Sequence, residues 1–359
     1  MIAILGQGIA GTTIALRLLE RNKRFVLFDD HYKTSSSMVA AGLWNPIVFR
    51  RINKSWMADE FIKELESFYP MVEKMLGINF YRPRPVWRVH GSKQELDKWH
   101  EKKDMPGFKP YLHNPPLKLK ESFGRTPEYS EGEVRHAGYL DLPKFLQESR
   151  SYFLARNLFV ESEVGLEPSL EELNNLSKST EEITQIIDCR GNQSASANWW
   201  NYLPFGLTKG EVLTIKCPEL SLKETFNAGF FVLPLGSHHF RVGATFSWKD
   251  KTLEPTEEGK EELIKKFEKY FDYDYEIVEH KAGLRPTVQD RRPLLGRHPV
   301  AEHLYLFNGL GTKGVMLAPY LSSHFLDFMI DQKPLIKEAD LSRFDHLLGE
   351  VNPQINYPN

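Results

Sequence analysis

The turn Gly6-Gln7-Gly8-Ile9-Ala10-Gly11 most constrains this chain, because its three glycines stand between a short apolar run and a helix-forming one. Ile2-Ala3-Ile4-Leu5 reads as a buried strand, residues 12–19 as a helix, and Phe25-Val26-Leu27-Phe28 as a second strand that stops at Asp29-Asp30. Together they make one βαβ unit. In such a unit the first glycine permits the tight turn, the second lets backbone approach a pyrophosphate, and the third brings helix and strand close. The phosphates then sit at the positive end of the helix. Asp29, ~20 residues on, stands where a carboxylate accepts hydrogen bonds from a ribose diol and disfavours a phosphorylated ribose. The motif selects a dinucleotide and leaves NAD and FAD both open.

A length of 359 residues allows two domains, or one domain interrupted by another. Hydrophobic residues at 41% and charged ones at 26% match an ordinary globular chain and exclude disordered and fibrous classes. The balance of 46 basic against 48 acidic residues removes the usual electrostatic case for nucleic acid or an anionic membrane as partner. Cys189 and Cys217 are too few for a disulfide framework or a four-thiolate metal site, the histidines show no metal-ligand spacing, and no metal is expected. No basic leader precedes the first strand, and the most apolar stretch, 315–330, is interrupted by Pro319, Ser322, Ser323, His324 and Asp327. A cytoplasmic protein without a membrane span is the expectation.

Further along, residues 58–76 read as a helix with Phe61, Leu65 and Phe68 on its apolar face, and 80–89 as a strand. The stretch 101–129, rich in Lys, Pro and Gly, reads as an irregular excursion. Asp141 suits a helix N-cap with Pro143 in the first turn. Residues 185–191 form a strand ending on Gly191, and 209–216, 229–235 and 240–246 a strand-rich block with a turn at Gly236-Ser237. Residues 257–270 are amphipathic. A final strand, 304–307, leads into Gly309, Gly311 and Gly314. A helix starting after Gly314 would aim its positive dipole at a cofactor, and a flavin gains from this because its reduced form carries negative charge near N1 and C2=O. This leans the reading towards FAD.

With these segments in view, the chain resembles the FAD-dependent D-amino acid oxidase family, which includes glycine oxidase and sarcosine oxidase. Ser35-Ser36-Ser37 followed by Val39-Ala40-Ala41-Gly42-Leu43-Trp44-Asn45-Pro46 looks like the family loop that lies along the flavin. Ala282-Gly283-Leu284-Arg285-Pro286 is similar to the stretch that brings in the substrate arginine, and 308–319 to the last flavin loop and helix. The resemblance implies an α/β fold, with a Rossmann-like FAD-binding domain of glutathione-reductase type interleaved with a mostly antiparallel α+β substrate domain. The expected segments are 1–78, 138–205 and 281–359 for the first, and 79–137 and 206–280 for the second. It implies non-covalent FAD contacted by Gly6, Gly8, Gly11, Asp29, Ser36, Ser37, Ala41, Gly42, Leu43, Val164, Gly191, Gly309, Gly311, Thr312, Lys313 and Gly314.

The same resemblance implies oxidation of the C–N bond of a small amine or amino acid such as glycine, sarcosine or a D-amino acid. Hydride passes to flavin N5, the imine is hydrolysed, and O2 or another acceptor takes the electrons. Arg285 is expected to grip the substrate carboxylate, since a guanidinium fork matches it in bidentate fashion. Arg241 lies where sarcosine oxidase has the lysine that assists oxygen, and Lys313 stands in the terminal loop that carries a second arginine in glycine oxidase. The strand Phe230-Phe231-Val232-Leu233-Pro234 offers only phenylalanine where the family tends to have a tyrosine hydroxyl. Trp44, Tyr139 and the Trp199-Trp200-Tyr202 cluster are candidate pocket walls, with plain core as the commoner role of such residues, and Lys209-Gly210-Glu211 resembles a flavin-proximal turn. Competing readings are an oxidase of a carboxymethylaminomethyl-uridine-type tRNA modification, and a non-catalytic flavin-binding subunit. Dithiol reductases are excluded by the absence of a paired-cysteine motif. A homo-oligomer is compatible with the sequence.

Overall fold

The computed structural model describes residues 1–30, 35–114, 129 and 132–350. Strand Ile2–Leu5, helix Ile9–Glu20 and strand Phe25–Asp29 form the expected unit, with the two strands parallel. Among the described residues they sit in a six-stranded sheet of order Phe159–Glu161, Phe25–Asp29, Ile2–Leu5, Gln185–Asp188, Leu304–Asn308 and Leu294–Arg297. All pairs are parallel except the last. Side chains alternate between the faces of a strand. Ile2 and Ile4 therefore join one core with helices Ile9–Glu20, Ala58–Leu76, Leu142–Leu154 and Gly314–Asp331, while Ala3 and Leu5 join a second core behind the sheet.

The third glycine of the opening turn makes this packing possible. A Cβ at Gly11 would lie 1.9 Å from the carbonyl oxygen of Gly6, so helix and strand approach more closely than any side chain allows. Gly6 adopts φ +92°, a left-handed conformation that glycine takes without steric cost.

The second sheet has eight strands, in the order Glu276–Arg285, Thr208–Lys216, His239–Gly243, Phe231–Gly236, Thr225–Asn227, Val86–Arg88, Gly132–Val134 and Leu112–His113. It is antiparallel apart from the Thr225–Asn227 and Val86–Arg88 pair. Helix Glu257–Glu268 packs Leu263 and Phe267 onto it. A parallel α/β sheet beside a mostly antiparallel one is the fold class expected from the sequence.

Local differences have local causes. The strand expected over 80–89 divides into Tyr81–Pro83 and Val86–Arg88, which belong to different sheets, because Pro83 and Pro85 interrupt the ladder. The block expected to end at Phe246 stops at Gly243, and the strand Glu276–Arg285 runs through the expected boundary between 280 and 281. Within the excursion expected at 101–129, helix Lys93–Lys103 covers the start and strand Leu112–His113 the middle, while 115–128 lie outside the described residues, as does Thr34. Asp141 caps helix Leu142–Leu154 by accepting from Lys144 N at 3.3 Å. No helix among the described residues is long and apolar enough to cross a membrane.

Gly11→Ala is expected to destabilise the protein by at least ~3 kcal/mol, since the clash is with backbone that cannot swing aside. Gly165→Ala, where a Cβ meets nothing, is the neutral control. Urea unfolding of the two variants beside the parent measures the difference, and a Gly11→Ala midpoint equal to the control's would contradict the packing described.

Candidate functional site

A cavity of about 530 Å³ opens between the two sheets. Of the residues the sequence singled out, Gly6, Gly8, Asp29, Ser36, Ser37, Ala41, Gly42, Leu43, Gly191, Gly311, Thr312, Lys313 and Gly314 line it, together with Arg285. Gly11, Gly309 and Val164 do not line it. Gly11 is spent on helix packing, a Cβ at Gly309 would sit 2.9 Å from Leu294 N, and Val164 packs on the core behind the parallel sheet.

One end of the cavity is built for a dinucleotide. Helix Ile9–Glu20 starts with no side-chain cap from its own N-cap residue and no acid in its first turn, and its first-turn N–H groups face the glycine turn. Ser37 comes from outside the unit to accept from Ile9 N at 3.0 Å, and a Cβ on Gly8 would stand 3.1 Å from that hydroxyl oxygen. Asp29 lines the cavity and is oriented by Gln7 N, which donates to Oδ2 at 2.7 Å, and by Arg150 Nη2, which donates to Oδ1 at 2.6 Å. The other glycine loops meet here too. Asn308 donates from Nδ2 to Gly191 O at 2.9 Å and accepts at Oδ1 from Gly309 N at 2.7 Å, tying two strand ends together at the cavity edge. Helix Gly314–Asp331 begins at the wall, again without an acid in its first turn.

The opposite end belongs to the antiparallel sheet, whose cavity face is kept low by glycines. A Cβ on Gly210 would fall 1.8 Å from Arg285 Nη2, and one on Gly243 would strike Phe231 and Val212. Arg285 lies over Gly210 and donates only to carbonyls, those of Lys209 at 3.2 Å and Thr245 at 3.5 and 3.4 Å, with the Phe246 ring centroid 5.6 Å away. No carboxylate among the described residues pairs with it, and burial alone lowers its pKa to about 10. Lys313 and Arg190 also line the cavity, and Arg190 is paired with Asp188 at 2.8 Å. Lys313 donates to the Ser55 hydroxyl, and burial lowers its ammonium from 10.5 to about 8.

Several expectations are corrected. Arg241 does not reach the main cavity, because Ala40 and Ala41 stand between. It lines a separate cavity of about 140 Å³ with Tyr139 and Asp141, and among the described residues its hydrogen bond is a long one of 3.5 Å to Ala40 O. Lys209-Gly210-Glu211 is not a turn but part of strand Thr208–Lys216. Gly210 alone of the three faces the cavity, and Lys209 binds Asp250 Oδ2 at 2.5 Å on the other side. Trp199, Trp200 and Tyr202 are core behind the parallel sheet, where Trp200 Nε1 donates to Asp188 at 3.0 Å. Trp44 does line the cavity, stacked on Tyr81 at 4.9 Å. Phe230 and Phe231 line it without a hydroxyl, and Cys189 lines it with its thiol pKa pushed up by burial. Residues that sequence reasoning passed over are Asn308, Thr245, Asn45 and Asn227. Of these Asn45 and Asn308 stood in loops already singled out, 39–46 and 308–319, while Thr245 and Asn227 stood in none.

Burial of Lys313 has a measurable consequence for the ligand-free protein. The unfolded chain keeps this proton to about pH 10.5 and the folded chain releases it near 8, so between the two the unfolded state binds more protons and stability rises with pH. Lys313→Met is expected to be more stable than the parent at pH 7, with the gap closing as pH approaches 10. Urea unfolding across that range tests it, and a gap independent of pH would show that Lys313 is not held as described.

Residues 1–326 match the family model described as FAD dependent oxidoreductase. The glycine oxidase of Bacillus licheniformis is 23% identical over 371 residues, covering 91% of this chain and 92% of that protein. A tRNA 5-methylaminomethyl-2-thiouridine biosynthesis bifunctional protein of Idiomarina loihiensis is 30% identical over 128 residues, which span 34% of this chain and only 21% of that protein. The crystal structure of iminodiacetate oxidase from Chelativorans sp. BNC1 superposes with a TM-score of 0.77 at 14% identity, covering 94% of this chain and 98% of that one.

Proposed function

The chain belongs to the family of FAD-dependent oxidoreductases, and from that premise we propose that it oxidises the C–N bond of a small amine bearing a carboxylate, an amino acid in the simplest case. The observation that carries this reading is Arg285, a guanidinium in the cavity wall with carbonyls but no acid as partners. An unpaired buried cation is costly, and a ligand carboxylate relieves that cost through charge-assisted, bidentate hydrogen bonds. The relatives named glycine oxidase and iminodiacetate oxidase support the same chemical class.

In this reading Gly6 and Gly8 cradle the pyrophosphate of non-covalently bound FAD, Asp29 takes its ribose, and the loop Gly311–Gly314 with Ser36, Ser37 and 41–43 holds the ring system. Bound FAD supplies the two-electron acceptor for the hydride leaving the carbon beside nitrogen. Arg285 fixes the carboxylate, which orients that carbon towards the ring. Phe230, Phe231 and Phe246 exclude water around the reacting bond, strengthening the Arg285 contact. No side-chain base is required when the amine arrives neutral, because its nitrogen lone pair assists hydride departure and its proton leaves to solvent. Water then hydrolyses the released imine. The three segments of the parallel-sheet half and the two of the antiparallel half serve as cofactor and substrate domains respectively. A second reading, in which the amine is a substituent on a nucleoside, is favoured by the 30% match to the tRNA-modifying protein and works against the near-neutral charge of the chain.

Anaerobic titration with glycine, sarcosine, proline, D-amino acids and tRNA is expected to bleach the flavin with an amino acid, and admission of air then separates an oxidase from a dehydrogenase. Arg285→Ala is expected to lower kcat/KM by about 100-fold or more while the protein stays yellow, the effect of losing a buried charge-assisted contact. Bleaching by no amine at all, or unaltered kinetics in Arg285→Ala, overturns the proposal.

A further inference from the structure

Asn227, at the end of strand Thr225–Asn227, lines the cavity on the antiparallel-sheet side. Its orientation is fixed from behind. Arg88, itself buried, donates from Nη1 to Asn227 Oδ1 at 2.6 Å and from Nη2 to Glu95. A guanidinium has no acceptor, so it can face only the oxygen of the amide. The Nδ2 of Asn227 is therefore the end left to donate into the cavity. Burial raises the pKa of Glu95, but the nearby His90 ring and hydrogen bonds from Arg88 and Gly91 N–H outweigh that and bring it to about 2.

The sheet register gives the scale. Asn227 pairs with Phe231, Phe231 with Gly243, and Gly243 with Val212, so one row of residues crosses four strands on the cavity face. Gly210, under the Arg285 guanidinium, lies on the last of these strands, three strand spacings across and two residues along, about 16 Å from Asn227. Glycine and sarcosine, only a few ångströms long, cannot span it. The floor between is the Phe231 ring, which lies over Gly243, and Val212, an apolar surface that accepts an apolar linker.

We infer that this trough binds an extended substrate, an N-substituted amino acid whose carboxylate sits on Arg285 and whose tail ends in a second hydrogen-bond acceptor, a carbonyl or carboxylate, received by Asn227 Nδ2. The inference rests on the amine-oxidising reading and adds the substrate class. Asn227 is a specificity residue, and Arg88 with Glu95 are positioning residues that act through it.

The test compares N-(ω-carboxybutyl)glycine and N-(ω-carbamoylbutyl)glycine with N-pentylglycine, which has the same length and no terminal acceptor. Both acceptor-tailed substrates are expected to exceed N-pentylglycine at least tenfold in kcat/KM, chiefly through KM. Asn227→Asp keeps an oxygen for Arg88 and so preserves the fold, but replaces the donor by a carboxylate oxygen. It is expected to invert the preference for the carboxylate tail, whereas the carbamoyl tail, which can turn its NH2 to the new oxygen, keeps its advantage. Arg88→Lys, which loses the forked grip, is expected to erode the same ratio with less effect on N-pentylglycine. Calorimetric binding of the non-oxidisable ether ω-(carboxymethoxy)pentanoate to parent and Asn227→Asp reads the contact without turnover. A tail preference below twofold, or equal effects of Asn227→Asp on all three substrates, overturns the trough and leaves the amine-oxidising reading standing. If no amine reduces the flavin, that reading falls, and equal ether binding by the two proteins would then also dismiss the trough.

Discussion

The close approach of Gly11 to the carbonyl of Gly6 is the constraint on which the remaining structure hangs. With only 1.9 Å available to a Cβ there, the first helix lies directly on the first strand, and its N-terminus comes to the end of the parallel sheet instead of beyond it. Helix Gly314–Asp331 packs along that helix, which brings its own N-terminus to the same edge. Two positive helix ends therefore converge on one cavity, near Asp29 and the loop carrying Ser36 and Ser37. The arrangement suits a long ligand with negative charge at its phosphates and at its far ring.

The antiparallel sheet contributes to the cavity largely by what it leaves out. Gly210, Gly243 and Gly283 share its cavity face, and a side chain at any of them would meet Arg285, Phe231 or Val39 respectively. Removing three side chains from a packed sheet sacrifices burial, and Gly in a strand interior weakens it. The parallel sheet, by contrast, is packed with Ile, Leu, Val and Phe on both faces. The antiparallel sheet keeps a packed core on its other face, under helix Glu257–Glu268, and leaves its glycine face to the cavity.

Legibility in the sequence followed range. The glycine turn, Asp29, the helix over Ala58–Leu76 and the Asp141 cap were readable because the groups that decide them lie within one or two turns of chain. Arg285 was readable through its motif. Arg241 was misplaced because its neighbours, Ala40, Tyr139 and Asp141, come from distant segments whose docking no local pattern announces. Asn227 was invisible for the same reason. Thr-Phe-Asn reads as a plain strand end, and its meaning comes from Arg88, 139 residues away in sequence. The tryptophan cluster at 199–200 had the composition of a pocket wall, but the chain carries it behind the sheet, where Trp200 Nε1 donates to Asp188 and the Trp199 carbonyl meets His298.

Lys209 and Arg285 show why a cation's identity says little until its face is known. They come from paired strands, with Lys209 opposite Leu284 and Arg285 opposite Thr208. Alternation sends Lys209 away from the cavity, where Asp250, Thr252 and the Glu254 carbonyl surround its ammonium. Arg285 goes towards the cavity and finds only carbonyls. The near-neutral total of the chain conceals this difference, because Lys209 is balanced by acids of the protein itself while Arg285 awaits one from outside. A one-residue slip of the Glu276–Arg285 strand would turn Arg285 to the far face and leave Lys209 where it is, so the cavity wall would lose its guanidinium. The ten-residue length of that strand and its pairing along all of Thr208–Lys216 resist the slip, so this ladder decides which of the two cations faces the cavity.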